Sequence, residues 1–406
     1  LRRCTRRAKG RGSNRWKQLP LYKRNSRGES RPENRGGADR PDAPAEPGEK
    51  DNLPFFDARQ NGDGTCEAPD QADRREGVVG RCGKVPEPEG TERCTIIEEE
   101  KISMSLLKKY YLYTKERFPI PATFPYAAAL YYMSYFFPGI IGSRGPCNLA
   151  ESIVGCMVFF MALFQIRILD EHKDYAKDVI AHPDRMLSKG VITLAELRKL
   201  MYVMVALQTV MALYLGPVPF IAWLALEAFS LLMFKEFFAP EFLNRQMWLY
   251  LLSHQLSVPL ALLFGISQRA DLCYLASMQP VLLALFLFGS MMITINFEIA
   301  RKTWSPDREH EHADSYTKVW GIRGAVIVNQ IAAILAGASF LYFYIVMPRS
   351  IVYPVIVCAA YLLFLASEIV FIAKRDSKTS KVIEMTGAFY SLAVLITSAV
   401  FFFNLG

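Results

Sequence analysis

From about Phe118 onward the chain is a succession of apolar runs near or above about 18 residues, the length a helix needs to cross a bilayer. About nine such segments can be placed, roughly at 119–141, 149–169, 195–215, 217–234, 246–266, 273–297, 323–347, 351–373 and 384–404. Pro119, Pro121 and Pro125 suit the start of the first, and Gly216-Pro217 leaves almost no loop between the third and fourth. The pattern predicts an all-α fold, a polytopic membrane bundle of about nine transmembrane helices over residues 118–406.

Residues 1–100 are of another kind, rich in Arg, Pro, Gly, Glu and Asp with few aliphatic clusters, and read as a disordered basic and polar tail. Residues 1–50 hold fifteen Lys and Arg against six Asp and Glu, whereas the rest of the chain carries 32 against 33. The net charge of +8 therefore belongs to the tail, and nucleic acid is not an expected partner of the membrane body. The Arg and Ser content fits an organellar transit segment, but the acidic residues argue against one. The sequence begins at Leu1 rather than Met, which leaves its true start open. Between tail and bundle, residues 101–117 set Ile102, Leu106, Tyr110 and Tyr113 against Lys108, Lys109 and Lys115, the pattern of an amphipathic helix lying on a membrane surface. The eight cysteines form no CxxC pair, which argues against a zinc or redox site, and Cys156 and Cys358 are small apolar residues within apolar runs.

Loop charge sets the orientation. One set of loops contains Lys173, Lys177, Arg185 and Lys189, then Lys235 and Arg245, then Arg301, Lys302, Arg308 and Lys318, then Lys374, Arg375, Lys378 and Lys381. The alternate set has only Arg144, Arg269 and Arg349. By the positive-inside rule the first set, with the N-terminus, is cytoplasmic, or stromal or matrix in an organelle.

Two acidic clusters fall on that same side. The first runs Asp170-Glu171-His172-Lys173-Asp174-Tyr175-Ala176-Lys177-Asp178, and the second Asp307-Arg308-Glu309-His310-Glu311. Asp170, Asp174 and Asp178 recur every four residues, so a continuous helix would stack them on one face. Carboxylates that close repel one another unless a cation lies between them. At a membrane rim, such a set asks for divalent metal and, through it, a phosphate-bearing ligand. Arg185, Lys189, Lys235, Arg301 and Lys302 are at hand to share the charge of a diphosphate, a poor leaving group until neutralised. The alternative is a solvated loop whose acids and bases pair with one another.

The segment Asp170-x-x-x-Asp174-x-x-x-Asp178, followed by Pro183-Asp184-Arg185-x-Leu187-x-x-Gly190, resembles the first aspartate motif of the UbiA-type intramembrane prenyltransferases, Asn-Asp-x-x-Asp-x-x-x-Asp. Asp170 falls at the motif's Asn, Glu171 at its first Asp, and Asp174 and Asp178 at the other two. Asp307 to Glu311 is similar to the family's second motif, with Glu311 for Asp and Asp314-Ser315-Tyr316 where Thr-Leu-Pro is usual. Glu298 corresponds to an earlier acid of that motif, across a two-residue insertion, and Lys235 to the family's Lys at the end of the fourth span.

The resemblance covers roughly residues 105–406. It implies a bundle around a central cavity, with a Mg²⁺-bound prenyl diphosphate at the cytoplasmic rim and the prenyl chain pointing into the membrane. It also implies one metal on Asp170, Asp174 and Asp178 and another on Glu298, Asp307 and Glu311, with Asp174, Asp178 and Asp307 as catalytic residues. The expected function is transfer of the prenyl group to an aromatic or other lipophilic acceptor. One alternative is a UbiA-type terpene cyclase, which needs no acceptor. Another is a membrane transporter, which predicts charges near the midplane instead of the rim.

Glu227 and His254 lie within apolar runs, where each either faces a cavity, positioning an acceptor or quenching a cation, or makes a buried hydrogen bond between helices. His172, His182, His310 and His312 flank the clusters, and since Mg²⁺ does not favour imidazole they read as loop or outer-shell residues. The aromatics Tyr131, Tyr132, Tyr135, Phe136 and Phe137 suit an interfacial band better than a cation-stabilising tunnel lining.

Overall fold

The structure, a computed structural model, describes residues 104–141, 147–309 and 315–405. The expected tail and Arg144, His310, Glu311 and His312 lie outside the described residues. Every secondary-structure element among the described residues is helical. Helix α1 is Leu106–Arg117, α2 Ile120–Phe136 (continued by a 3₁₀ turn, Phe137–Ile141), α3 Leu149–Lys173, α4 Tyr175–Ala181, α5 Leu194–Tyr214 and α6 Pro217–Phe234. Then follow α7 Pro240–Asn244, α8 Met247–Gln255, α9 Ser257–Ser267, α10 Leu272–Met278, α11 Pro280–Arg301, α12 Tyr316–Val346, α13 Val352–Lys374 and α14 Ser377–Phe403.

Among the described residues, eight segments are long and apolar enough to cross a membrane: α3, α5, α6, α8 with α9, α11, α12, α13 and α14. The chain is a multi-pass membrane protein. The α-helical part of the first expected segment is shorter than these eight spans. α2 has 17 residues, roughly 26 Å at helical rise, and the 3₁₀ turn adds about 10 Å.

Proline and glycine set the breaks. Pro259, without an N–H, leaves the Gln255 carbonyl without its helical donor, and α8 parts from α9 at Leu256. Pro280 starts a new helix, so the expected segment 273–297 is divided into α10 and α11. Gly216, at φ 108°, makes the tight turn between α5 and α6, where a side chain would be strained. Thr193 begins α5 with a capping box: its hydroxyl accepts from Glu196 N, and the Glu196 carboxylate accepts from Thr193 N.

The apolar core runs along the bundle. At the end where α2 finishes, Phe137 stacks on Phe286 at 4.1 Å, with Phe343 and Phe402 edge-on. Tyr131, Tyr135 and Phe137 are buried there, so this aromatic run is core packing at the end remote from the acidic clusters. α1 is held to the opposite end. Tyr113 is fully buried against Phe164, Lys109 Nζ reaches Glu196 at 2.9 Å, and the Tyr110 hydroxyl donates to the Glu196 carbonyl. Tyr110 and Tyr113 thus face protein, while Leu107 and Tyr111 are exposed.

Candidate active site

α3 delivers the first acidic cluster to the rim. It ends at Asp174, whose backbone (φ −95°, ψ 6°) leaves the helix before α4 resumes. Main-chain bonds still step by four, from Asp174 N to Asp170 O, Asp178 N to Asp174 O and His182 N to Asp178 O. The three carboxylates nevertheless take different partners. Asp178 pairs with Arg185 at 2.7 Å and Arg117 at 3.4 Å, and Asp170 lies 3.6 Å from Lys173 Nζ. Glu171, only 2% exposed, accepts from Arg117 and Arg167, both at 2.7 Å.

Asp174 lines a cavity of about 360 Å³ with Lys173 and Lys177 from its own segment and Phe234, Lys235 and Glu236 from the end of α6. This cavity joins Asp174 of the first cluster to Lys235. Its α6 wall is strained: Glu236, Phe237 and Phe238 all have left-handed backbones, with φ of 47°, 53° and 58°. Burial pushes the Asp174 carboxyl above the usual aspartate range and the charge of Asp178 adds to it, while Lys173, Lys177 and Lys302 pull it down.

Lys173 is fixed from the other side by α8. Its ammonium donates to the Tyr250 hydroxyl at 2.7 Å and lies 3.4 Å from His254 Nε2. The Tyr250 and His254 rings stack at 4.0 Å. His254 also bonds the Tyr250 carbonyl at 2.8 Å and approaches Ser253.

The second cluster divides. Glu298, near the end of α11, is held by Arg301 at 2.6 Å and Lys302 at 3.1 Å. Its charge acts on Asp170 and that of Lys302 on Asp174, which brings the end of α11 to the first cluster. Asp307 sits exposed in a 3₁₀ turn, Pro306–Arg308, where its charge bears on Asp376 at the start of α14. Its neighbour Arg308 reaches Ser380 at 2.9 Å and Glu384 at 3.6 Å, and Glu309 accepts from the hydroxyls of Ser315, the cap of α12, and Thr317. In the described part, residues 307–309 thus fasten the loop to α12 and α14.

Among the described residues, no group of three or more His, Cys, Asp or Glu side chains is gathered to hold a metal. Magnesium does not require one: it commonly takes one or two carboxylates, with phosphate oxygens and water completing the shell. Asp170 and Asp174 offer only hard oxygen donors and fit that mode, whereas Glu298 is taken up by Arg301 and Lys302.

Of the other expected residues, Lys189 lies on the exposed Asp184 at 3.5 Å, and neither it nor Arg185 lines the cavity. Glu227 accepts from Gln165, which in turn accepts from Gln208, so it is a buried helix-to-helix bond. His172 ties the Ile168 carbonyl to that of Leu194. Sequence reasoning passed over Lys173, Lys177 and Tyr250. The two lysines lie four apart across Asp174, a spacing that shares one helix face, whereas nothing local marks Tyr250.

Two solved structures share the fold of this helical membrane bundle. One is a digeranylgeranylglyceryl phosphate synthase, with a TM-score of 0.51 at 16% identity over 73% of this chain and 99% of that one. The other is a UbiA homolog from Aeropyrum pernix K1, with a TM-score of 0.51 at 14% identity over 67% of this chain and 96% of that one. No protein-family model matches the sequence, and no curated protein matches it.

Proposed function

We propose that this chain is a Mg²⁺-dependent membrane prenyltransferase, which ionises a prenyl diphosphate and passes the prenyl group to an aromatic or other lipophilic acceptor. The observation that carries the reading is the cavity that sets Lys173, Lys177 and Lys235 around Asp174 at one end of a UbiA-like bundle. A diphosphate leaving group gathers negative charge as its carbon–oxygen bond breaks. Ammonium groups already fixed at that place stabilise this charge without reorganising. Asp170 and Asp174 are the residues that would hold Mg²⁺, which would supply further neutralisation of the diphosphate. Arg117 and Arg185 hold Asp178, which anchors the loop after α4 to α1.

The apolar part of a substrate has a place nearby. An apolar cavity of about 530 Å³ lies between α8, α11 and α12, with Trp248, Leu251, Met292, Ile295 and Trp320 in its walls. Its α8 residues, Trp248, Leu251 and Leu252, lie on a different face of that helix from Tyr250 and His254, which reach Lys173.

The test is incubation of the purified protein with Mg²⁺ and geranyl, farnesyl or geranylgeranyl diphosphate, with and without phenolic and glycerol-phosphate acceptors. Diphosphate release that requires an acceptor and yields a prenylated product is expected. Hydrocarbon or terpene alcohol formed without acceptor would make the chain a cyclase. No release of diphosphate from any donor would overturn the reading.

A further inference from the structure

Lys173 touches both halves of the site at once. It is the last residue of α3, so its side chain leaves the helix end, and it is only 10% exposed. Its ammonium lies 3.6 Å from the Asp170 carboxylate and 2.7 Å from the Tyr250 hydroxyl, and the side chain also lines the cavity that holds Asp174, Lys177 and Lys235. Arg301 and Lys302 cover Glu298 from the same helix end, but neither lines that cavity.

We propose that Lys173 is the resident counter-ion of Asp170 and an anion-binding residue of the cavity, exchanging the first role for the second when a divalent cation arrives. The proposal rests on the prenyl diphosphate reading above. Asp170, Asp174 and Glu298 carry like charges whose fields overlap, and a nearly buried ammonium neutralises part of that charge when no metal does. A divalent cation on Asp170 repels the ammonium from it. The bond to Tyr250 survives this change, because the hydroxyl is neutral and its ring is braced by the stack on His254. A lysine has three donors on a flexible stem, so the donor released from Asp170 turns to an oxygen in the cavity while another stays on Tyr250. Tyr250 is therefore a positioning residue, acting through Lys173.

This arrangement predicts two effects of opposite sign, which a merely structural lysine does not produce. In Lys173→Met, Mn²⁺ measured by electron paramagnetic resonance without diphosphate should bind roughly threefold or more tighter, since its competitor is gone. Inorganic pyrophosphate, measured by calorimetry with Mg²⁺ present, should bind about tenfold weaker, since one charge-assisted bond is lost. Lys173→Arg should bring both affinities back toward the parent. Tyr250→Phe should weaken pyrophosphate without tightening Mn²⁺, and it reads the proposal independently if Lys173→Met does not fold. Affinities that move together in Lys173→Met, or pyrophosphate binding unchanged in Tyr250→Phe, would overturn the proposal. A parent protein that binds neither Mn²⁺ nor pyrophosphate sinks the functional reading itself. A parent that binds both, beside a Lys173→Met variant that matches it, sinks only the role of Lys173.

Discussion

Arg117 Nε donates to Glu171 Oε1 at 2.7 Å, and this bond fastens the helix before the bundle to the helix that carries the first acidic cluster. Arg117 also reaches Asp178, and Arg167 supplies Glu171 with a second guanidinium. Glu171 is nearly inaccessible, and both arginines pair with its carboxylate. Arg117→Ala halves the pairing without abolishing it and should cost about 1–3 kcal/mol, below the penalty for a buried charge left wholly unpaired. Thermal unfolding in detergent checks it. An unchanged midpoint would mean that α1 is not anchored through this pair.

The helical bundle was legible because crossing a membrane leaves long apolar runs, and the break at Gly216 was legible because Gly-Pro acts locally, whereas the break at Pro280 falls inside the expected segment 273–297, whose apolar character continues across it. The helix ends were not. The charged residues Lys378, Lys381 and Glu384 belong to α14, and Lys318 to α12, because charges at a rim are tolerated in a helix that continues into water. The site was legible in part. Asp174 and Lys235 do share a cavity. The spacing of Asp170, Asp174 and Asp178 gave no hint that Asp170 and Asp178 would choose different partners while Asp174 lines the cavity. That choice depends on Arg117, Lys173 and Arg185, whose side chains come from α1, from the end of α3 and from the loop after α4. Asp307 looked like a partner of Glu298 by motif alone, but the turn that holds it lies beside α14.

Asp174→Ala should reduce turnover at least about 100-fold while leaving the protein folded, because it removes the carboxylate that shares the cavity with three lysines. Activity with a range of prenyl diphosphates, read beside the thermal midpoint, checks both halves. Near-normal turnover by a stable variant would remove Asp174 from the site.

Divalent-cation binding should fade early on acidification. A carboxylate binds metal only when deprotonated, and burial raises Asp174 above the ordinary aspartate value of about 3.9. A raised value means protonation begins at higher pH than for an ordinary aspartate, so Mn²⁺ affinity should start to fall at a higher pH than it would at a solvent-exposed aspartate. Asp174→Asn should bind Mn²⁺ weakly with a flatter profile. Parent affinity that holds level down to about pH 4 would contradict the burial of this carboxyl.

Glu368 makes a separate prediction about stability. It is fully buried on α13, where Asn329 Nδ2 donates to one carboxylate oxygen at 2.8 Å and Gln330 Nε2 donates to the other. Asn329 Oδ1 is held by Asn296, and Gln330 Oε1 by the Tyr361 hydroxyl at 3.0 Å, so neither amide can turn over without breaking a second bond. Glu368→Gln places an amide donor against one of these donors and should cost about 1–3 kcal/mol. The thermal midpoint should drop, with turnover retained at temperatures where the variant stays folded.

Lys235→Ala should weaken diphosphate binding more than acceptor binding. Lys235 stands at the end of α6, beside a strained turn that holds it over the cavity, and faces the segment of Lys173, Asp174 and Lys177. As a surface anchor it would be worth at most about 1 kcal/mol, and its loss would hardly register in substrate affinity. As a ligand of the diphosphate it makes charge-assisted bonds in a partly dehydrated space, and its removal should raise the apparent dissociation constant about tenfold or more. Lys189→Ala provides the contrast, since that residue lies on the exposed Asp184 and does not line the cavity. Its effect on diphosphate affinity should stay below about threefold. Affinities for pyrophosphate and for a prenyl diphosphate, measured in both variants with Mg²⁺ held constant, separate the cases. Equal small effects would leave the diphosphate to Lys173, Lys177 and the metal, while a larger effect at Lys189 would move the anion out of the cavity towards the loop after α4.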